Sequence, residues 1–286
     1  MKYSSTMRRN IAAASLFVVF SHFCPTGLFA QQPAKIYLIG TVHDSSSVLN
    51  PQGLYHILEA IGPDVLLQEN DSEQIANYAK VIRPRSNEQT ATLMYLEKHP
   101  ETHNLPFEFE GRNQYRKDHG MVPTADLAIA LIDSLYEANL LNAENRKIYE
   151  AYQEANRALM AFTRYDIAAF NSITFETLNR HRQAIQHHEL PRITDSEDAF
   201  ANRYVIKPNG ERITYREGFR LWCNFWDLRN NSMAINIIAQ ANAHPGSTIV
   251  VLTGVQHKYY LKELLKKYHD GSYELIEYFQ TVNQSP

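Results

Sequence analysis

The sequence predicts an α/β fold: a mixed, mainly parallel central sheet flanked by helices, with a helical insertion or cap. Three observations point there. Short apolar runs at residues 35–39, 64–68 and 248–253 read as strands buried on both faces, because they are near-continuous rather than alternating. A helical pattern at 51–60 joins the first two runs, which makes a β-α-β unit with parallel strands and a right-handed crossover. Strand patterns gather at the two ends of the chain and helical patterns in the middle, so both ends are expected to share one sheet.

The first thirty residues fit an export leader. Lys2, Arg8 and Arg9 precede an apolar run at 11–20, and Ala30 follows Pro25, Thr26 and Gly27 as a cleavage position. The run is too short to span a bilayer, and no second apolar stretch approaches membrane length. Cys24 offers a lipid anchor as the alternative, although Ser21, His22 and Phe23 fit a lipoprotein signal poorly. The expectation is an exported protein, periplasmic or secreted, with one domain over residues 31–286. Without Lys2, Arg8 and Arg9 the chain keeps 25 basic against 31 acidic residues, a net charge of −6. Scattered and outnumbered basic residues exclude a nucleic-acid footprint. Of the two cysteines only Cys223 lies beyond the leader, which excludes an internal disulfide and a thiolate-rich zinc site.

Each later element has its own signal. Pro51 opens a helix whose apolar face is Leu54, Ile57 and Leu58, and Gly62-Pro63 ends it. The strand at 64–68 leads to Glu69. Residues 70–102 read as helix in pieces, broken at Pro84. A third strand is expected at 105–109, with Glu110 and Gly111 at its exit. Residues 124–188 carry a nearly continuous helical signal, and the insertion is expected at about 124–189. Lys207-Pro208-Asn209-Gly210 reads as a hairpin turn between strands at 204–206 and 212–215. A long helix at 218–243 stops at His244-Pro245-Gly246. The strand at 248–253, a helix at 258–268 and an edge strand at 273–279 complete the chain.

Two phrases of the same form close strands at opposite ends of the chain: Ile36-Tyr37-Leu38-Ile39-Gly40-Thr41-Val42-His43 and Val250-Val251-Leu252-Thr253-Gly254-Val255-Gln256-His257. The glycine is expected to permit a sharp exit from the strand. The histidine then sits at the carboxyl edge of the sheet, where open α/β folds place ligands. Glu69 ends the strand expected beside the one leading to His43. His43, His257 and Glu69 together suit one divalent ion, zinc, manganese or cobalt, with a position left for water. Such an ion would supply hydroxide near neutral pH, and Asp44 or Glu110 would carry the proton. Glu108 and Glu110 would point the same way on a strand. Arg229 shares a helix face with Trp222, Phe225, Trp226, Met233 and Ile237, and is expected to clamp Glu69 or a substrate carboxylate. Plainer roles stand beside these: packing histidines, a structural salt bridge at Glu69, a snorkelling Arg229.

Taken in order, Gly40-Thr41-Val42-His43, the strand ending in Glu69, Arg229-Asn230-x-x-Met233-Ala234 and Gly254-Val255-Gln256-His257 resemble the TraB/GumN/Tiki family, which sits in a wider group with erythromycin esterases and ChaN-like haem-binding proteins. The resemblance implies that His43 and His257 are the family's paired histidines, Glu69 its strand-end acid and Arg229 its helix arginine. It also implies metal-dependent hydrolysis of peptide bonds, as described for Tiki-like members. Gln256 and Asp44 depart from the commonest family pattern. The functional expectation is an exported metal-dependent hydrolase, a peptidase by resemblance, acting on a peptide or small molecule. Two alternatives stand beside it: a haem or small-ligand binding protein without turnover, and a noncatalytic envelope protein that docks a partner.

Overall fold

The computed structural model describes residues 32–44, 50–80, 86–164 and 166–277. The leader expected before residue 31, the break expected at Pro84 and the end of the last predicted strand lie outside the described residues.

In chain order the elements are β1 (Ala34–Thr41), α1 (Pro51–Ile61), β2 (Val65–Gln68), α2 (Ser72–Ala76), α3 (Asn87–Lys98), β3 (His103–Pro106), α4 (Arg112–Asp118), α5 (Met121–Glu137), α6 (Ala143–Met160), α7 (Ile167–Phe170), α8 (Ile173–Ala184), a π turn (Ile185–Glu189), α9 (Leu190–Ser196), α10 (Asp198–Ala201), β4 (Tyr204–Ile206), β5 (Arg212–Thr214), α11 (Tyr215–Ala243), β6 (Thr248–Gly254), α12 (Val255–Lys267) and β7 (Tyr273–Ile276). β3, β2, β6, β1 and β7 lie side by side in that order, and every neighbouring pair is parallel. The two chain ends therefore do share one sheet, with β7 at its edge. β4 and β5 form a separate antiparallel hairpin.

One neighbour relation differs from the expectation. β2 pairs with β6 and not with β1, because β6 enters between them and becomes the central strand. Its interior is apolar enough for that place: Ile249, Val250, Val251 and Leu252 are each at most 1% exposed. The register sets Gly40 opposite Thr253 and Thr41 opposite Gly254, so the two repeated phrases run side by side. Gln68 stands opposite Leu252, which puts Glu69 next to the end of β6.

Side chains alternate across the sheet with the period of two that strands impose. Ile36, Leu38, Val65, Leu67, Ile249 and Val251 pack with α11 and α12. Tyr37, Ile39, Leu66, Val250 and Leu252 pack with α1 and α3. Each buried aliphatic side chain contributes about 1.5–3 kcal/mol, so covering both faces stabilises a sheet of short strands. Beyond Tyr37 no strand among the described residues pairs with the outer edge of β1. There the Asn171 side chain accepts from the Gly40 amide (2.7 Å) and donates to the Gly40 carbonyl (2.9 Å).

α11 is 29 residues long, about 43 Å at the helical rise. It starts at Tyr215 because Thr214 and Glu217 form a reciprocal capping box. Its second half, with Met233, Ala234, Ile237 and Ala241, packs on the sheet. Its first half, with Phe219 and Cys223, belongs to another core made with Ala128, Ile132, Tyr149, Tyr152, Leu190, Ile193 and Phe200. The helical middle of the chain thus builds its core on the same helix that covers the sheet, and Arg229 lies where the two halves meet.

The repeated glycines serve a different purpose from the one their motif suggests. Neither takes a positive φ, and Gly254 sits at φ −55° and ψ 135°, open to any residue. Gly40 is needed for close approach: a Cβ there would lie 3.3 Å from the Val255 Cα and 3.2 Å from its Cγ1. A Cβ on Gly254 would make only an ordinary contact, 3.5 Å from Glu69 Oε2. Gly40→Val is therefore expected to destabilise the protein by about 1–3 kcal/mol through overpacking against α12, whereas Gly254→Ala stays within about 0.5 kcal/mol of wild type. Urea unfolding at pH 7 compares the two, and equal losses would contradict this account.

Candidate functional site

Four elements deliver charged or polar side chains to the carboxyl edge of the sheet. Glu69 follows β2, and Glu108 lies two residues beyond β3. His257 stands in the first turn of α12, which begins directly after Gly254. Arg229 and Asn230 project from the middle of α11.

Arg229 is the hub. Its Nε donates to Glu108 Oε1 (2.9 Å) and Oε2 (3.2 Å), its Nη2 to Glu69 Oε1 and Glu108 Oε2 (both 2.5 Å), and its Nη1 to His257 Nε2 (2.6 Å). The second oxygen of Glu69 accepts from the Thr253 hydroxyl (2.8 Å) and the Gly254 amide (2.7 Å). Glu108 also accepts from Arg112 Nη1 (3.0 Å) and from the Phe109 amide (2.7 Å). Only 1% of the Glu108 side chain and 13% of Glu69 is exposed, so these carboxylates have exchanged water for fixed donors.

The tautomer of His257 follows from its neighbours. The Asn230 amide nitrogen donates to the Trp226 carbonyl, so its oxygen faces His257 Nδ1 at 2.8 Å. Nδ1 therefore carries the proton, and Nε2 is the lone pair that accepts from Arg229. Burial, and then the Arg229 charge, push the His257 pKa down to about 3. Burial alone would raise the Glu69 carboxyl, but His257, Arg229, the Gly254 amide and the Thr253 hydroxyl hold it well below the usual carboxylate range. With His257 neutral, Arg229 and the two hydrogen-bond donors carry that effect. Burial disfavours the Arg229 cation, yet Glu69 and Glu108 more than offset it.

His43 occupies different surroundings. Its side chain is 68% exposed, and Nδ1 lies 3.1 and 3.2 Å from the two oxygens of Glu88. Glu88 sits in the first turn of α3 and is contacted by the Thr41 hydroxyl. The hydrogen bond to Glu88 raises the His43 pKa above its ordinary 6.5, against a smaller effect of burial. Glu88 in turn is held below its ordinary value by His43, although burial opposes this.

A cavity of about 310 Å³ joins the two groups, lined by Thr41, His43, Glu69, Arg112, Arg229 and His257 among others. The expected residues His43, His257, Glu69 and Arg229 thus meet around one space. Asp44 stands exposed at the rim, its carbonyl held by Asn87. Glu110 does not join them: it accepts from the amide and hydroxyl of Ser72 at the start of α2. β3 ends at Pro106, so Glu108 and Glu110 lie beyond the strand and point to different partners.

The trio expected to hold a divalent ion is not arranged as a ligand set. Glu69 Oε1 and His257 Nε2 are 3.8 Å apart, and the Arg229 guanidinium bonds to both. His43 is turned to Glu88 instead. Among the described residues no three His, Cys, Asp or Glu side chains form a group that could hold a metal ion. A guanidinium already neutralises the acid that the ion would need, so this donor set does not fit one.

Glu88, Arg112 and the part played by Glu108 were not legible as site features. Glu108 and Arg112 do show an i, i+4 charge pair, a signal common on solvated helices. A first-turn acid such as Glu88 carries no local mark of its burial.

Comparison with known proteins gives little more. No protein-family profile matches the chain, and no curated protein does at a significant level. Among solved structures, a mutant of the erythromycin esterase EreC in its open conformation is similar with a TM-score of 0.34 and 11% identity, covering 85% of this chain and 69% of that one.

Arg229→Met would strand two buried carboxylates, and a loss of about 3–5 kcal/mol in urea unfolding at pH 7 is expected. Native-like stability in that variant would show that the cluster contributes little. The pH dependence has a definite sign. Unfolded chains bind a proton at His257 below its ordinary 6.5, and the native state refuses it down to about 3. Glu69, depressed from 4.5, acts in the same direction at lower pH. The share of stability from His257 and Glu69 is therefore full above pH 6.5 and falls as pH drops, by up to about 1.4 kcal/mol per unit from His257, whereas His43, with its raised pKa, contributes a share that is lost as pH rises above 6.5. His257→Gln should lessen the slope between about pH 4 and 6 without abolishing it, because burial pushes the His187 pKa down to about 2 and that residue keeps its own share.

Proposed function

We propose that this protein is a hydrolase in which His43 takes a proton from the water that attacks a carbonyl carbon. The observation that carries this reading is the His43–Glu88 pair at the mouth of the cavity. With Nδ1–H held by Glu88, the Nε2 lone pair of neutral His43 is the base. Thr41 positions Glu88, and Glu88 sets the tautomer. As water bonds to the carbonyl carbon, one of its protons passes to Nε2 and negative charge grows on the carbonyl oxygen. Arg112 and Arg229 line the same cavity and supply N–H donors for that charge. The imidazolium then returns its proton to the leaving oxygen or nitrogen, and the bond to the acyl carbon breaks.

His257 is a positioning residue here. Its neutral ring accepts from Arg229 and holds the guanidinium in place. No step passes through a metal ion, because the donors expected to hold one are engaged by Arg229, Asn230 and Glu88. The motif resemblance to the TraB/GumN/Tiki family supports the hydrolytic class and favours peptides as substrates, whereas the metal dependence it implies forms no part of this reading. The leader pattern before Gln31 supports export.

A panel of chromogenic esters and amides tests the reading. Activity should survive a chelator and rise with pH through a pKa above 6.5, the raised value of His43. His43→Ala should lower kcat/KM by about 10²–10⁴-fold. Glu88→Gln should move the rising limb of the pH profile to lower pH, since it removes the bond that raises His43. Full activity in His43→Ala would end the proposal.

A further inference from the structure

Behind His257 a cavity of about 150 Å³ is lined by Arg112, Arg116, His187, Trp222, Phe225 and Trp226, together with Arg229 and His257. Its far wall takes no part in the hydrolysis proposed above. Pockets that enclose a whole drug-sized ligand measure about 300–1,000 Å³, so this one suits a single group of a larger molecule. Its wall is a series of flat rings. His257 stacks on Trp226 with centroids 4.4 Å apart, and Trp226 on His187 at 4.7 Å. Trp222 lies 4.8 Å beyond.

The polar character of the cavity is set by a relay. Arg182 Nη2 donates to the Tyr152 hydroxyl (3.1 Å), which donates to Gln186 Oε1 (3.0 Å). Gln186 therefore turns its amide nitrogen to His187 Nε2 (3.3 Å), and that nitrogen accepts. The His187 proton must lie on Nδ1, which is buried without a partner. The ring is 96% buried and neutral, since burial pushes its pKa down to about 2. It sits on the π turn, a local widening of the helix that is frequent at functional sites. Arg116 Nε is a second buried N–H with no partner. Folded proteins rarely leave such donors unmatched, and here both belong to residues lining one cavity.

Charge decides what would match them. Arg112, Arg116 and Arg229 line the cavity, while the carboxylates of Glu69 and Glu108 are already taken up by Arg229 and Arg112. Arg116 feels burial first and then the like charges of Arg112 and Arg229, with Asp126 and Glu108 opposing less. Of the three guanidinium groups, Arg116 alone makes no ion pair among the described residues.

We propose that this cavity is the subsite for a planar anionic group of the substrate, a carboxylate on a ring or an unsaturated chain. The flat body lies along the wall that Trp222 and Trp226 provide, and the carboxylate oxygens accept from the Arg116 guanidinium. The occupant's role as substrate rests on the hydrolase reading, but its binding stands apart from turnover.

The chain has two tryptophans and both line this cavity, so intrinsic fluorescence reports on it directly. Benzoate added to the full chain should change the emission saturably. Benzamide, its uncharged isostere, should bind about tenfold more weakly. Arg116→Gln should weaken benzoate about tenfold and leave benzamide unchanged, and Arg116→Lys should recover part of the loss. Melting curves establish that each variant is folded, and the benzoate–benzamide comparison on wild type needs no variant. No saturable response to benzoate, equal affinity for the two ligands, or a folded Arg116→Gln that binds benzoate normally would overturn the subsite. A chain that discriminates the ligands yet hydrolyses nothing would uphold the subsite and reject the hydrolase.

Discussion

Arg229 carries a cation from the middle of a long helix into contact with carboxylates that follow two different strands. Burying three ions costs several kcal/mol for each, and the cost is offset only if nearly every lone pair and proton finds a partner. That condition holds here. Glu69 accepts from Arg229, Thr253 and Gly254, and Glu108 from Arg229, Arg112 and the Phe109 amide. Such a cluster tolerates little displacement. It sets where α11 lies over the carboxyl edge, and it fills the space between Glu69 and His257 with a guanidinium.

The two histidines show how one motif yields opposite chemistry. After Gly254 the chain turns directly into α12, so His257 folds back against Trp226 and Arg229. It is dry, neutral and hydrogen-bonded at both nitrogens. Thr41 is followed by no helix among the described residues up to Asp44, and His43 stays exposed with one nitrogen on Glu88. Burial beside a cation lowers one pKa; an exposed ring bonded to a carboxylate has the other raised. The first arrangement suits a residue that positions another, the second a base that exchanges protons with water.

Three cavities open around this cluster, and Arg112 lines all of them. One holds the His43 side, one the rim beside Gln68 and Tyr78, and one the aromatic wall. A substrate lying across them would meet a base, a set of fixed cations and a stacking surface in turn.

Much of the fold was legible in advance. The buried strands, the crossover helix opened by Pro51 and ended by Gly62, the hairpin turn at Gly210 and the long helix all follow from periodicity and turn chemistry, which act over a few residues. The gathering of His43, Glu69, Arg229 and His257 at one sheet edge was legible too, because strand ends and a glycine-to-histidine spacing mark it. Local pattern determined that much. Only the tertiary structure decided that β6 lies between β1 and β2, that Glu88 reaches His43, and that Arg229 stands where an ion was expected. Strand order and buried charge pairing arise from contacts between residues far apart in the chain, as Ala34 is from Tyr273 and Glu69 from Arg229, and a local window records neither.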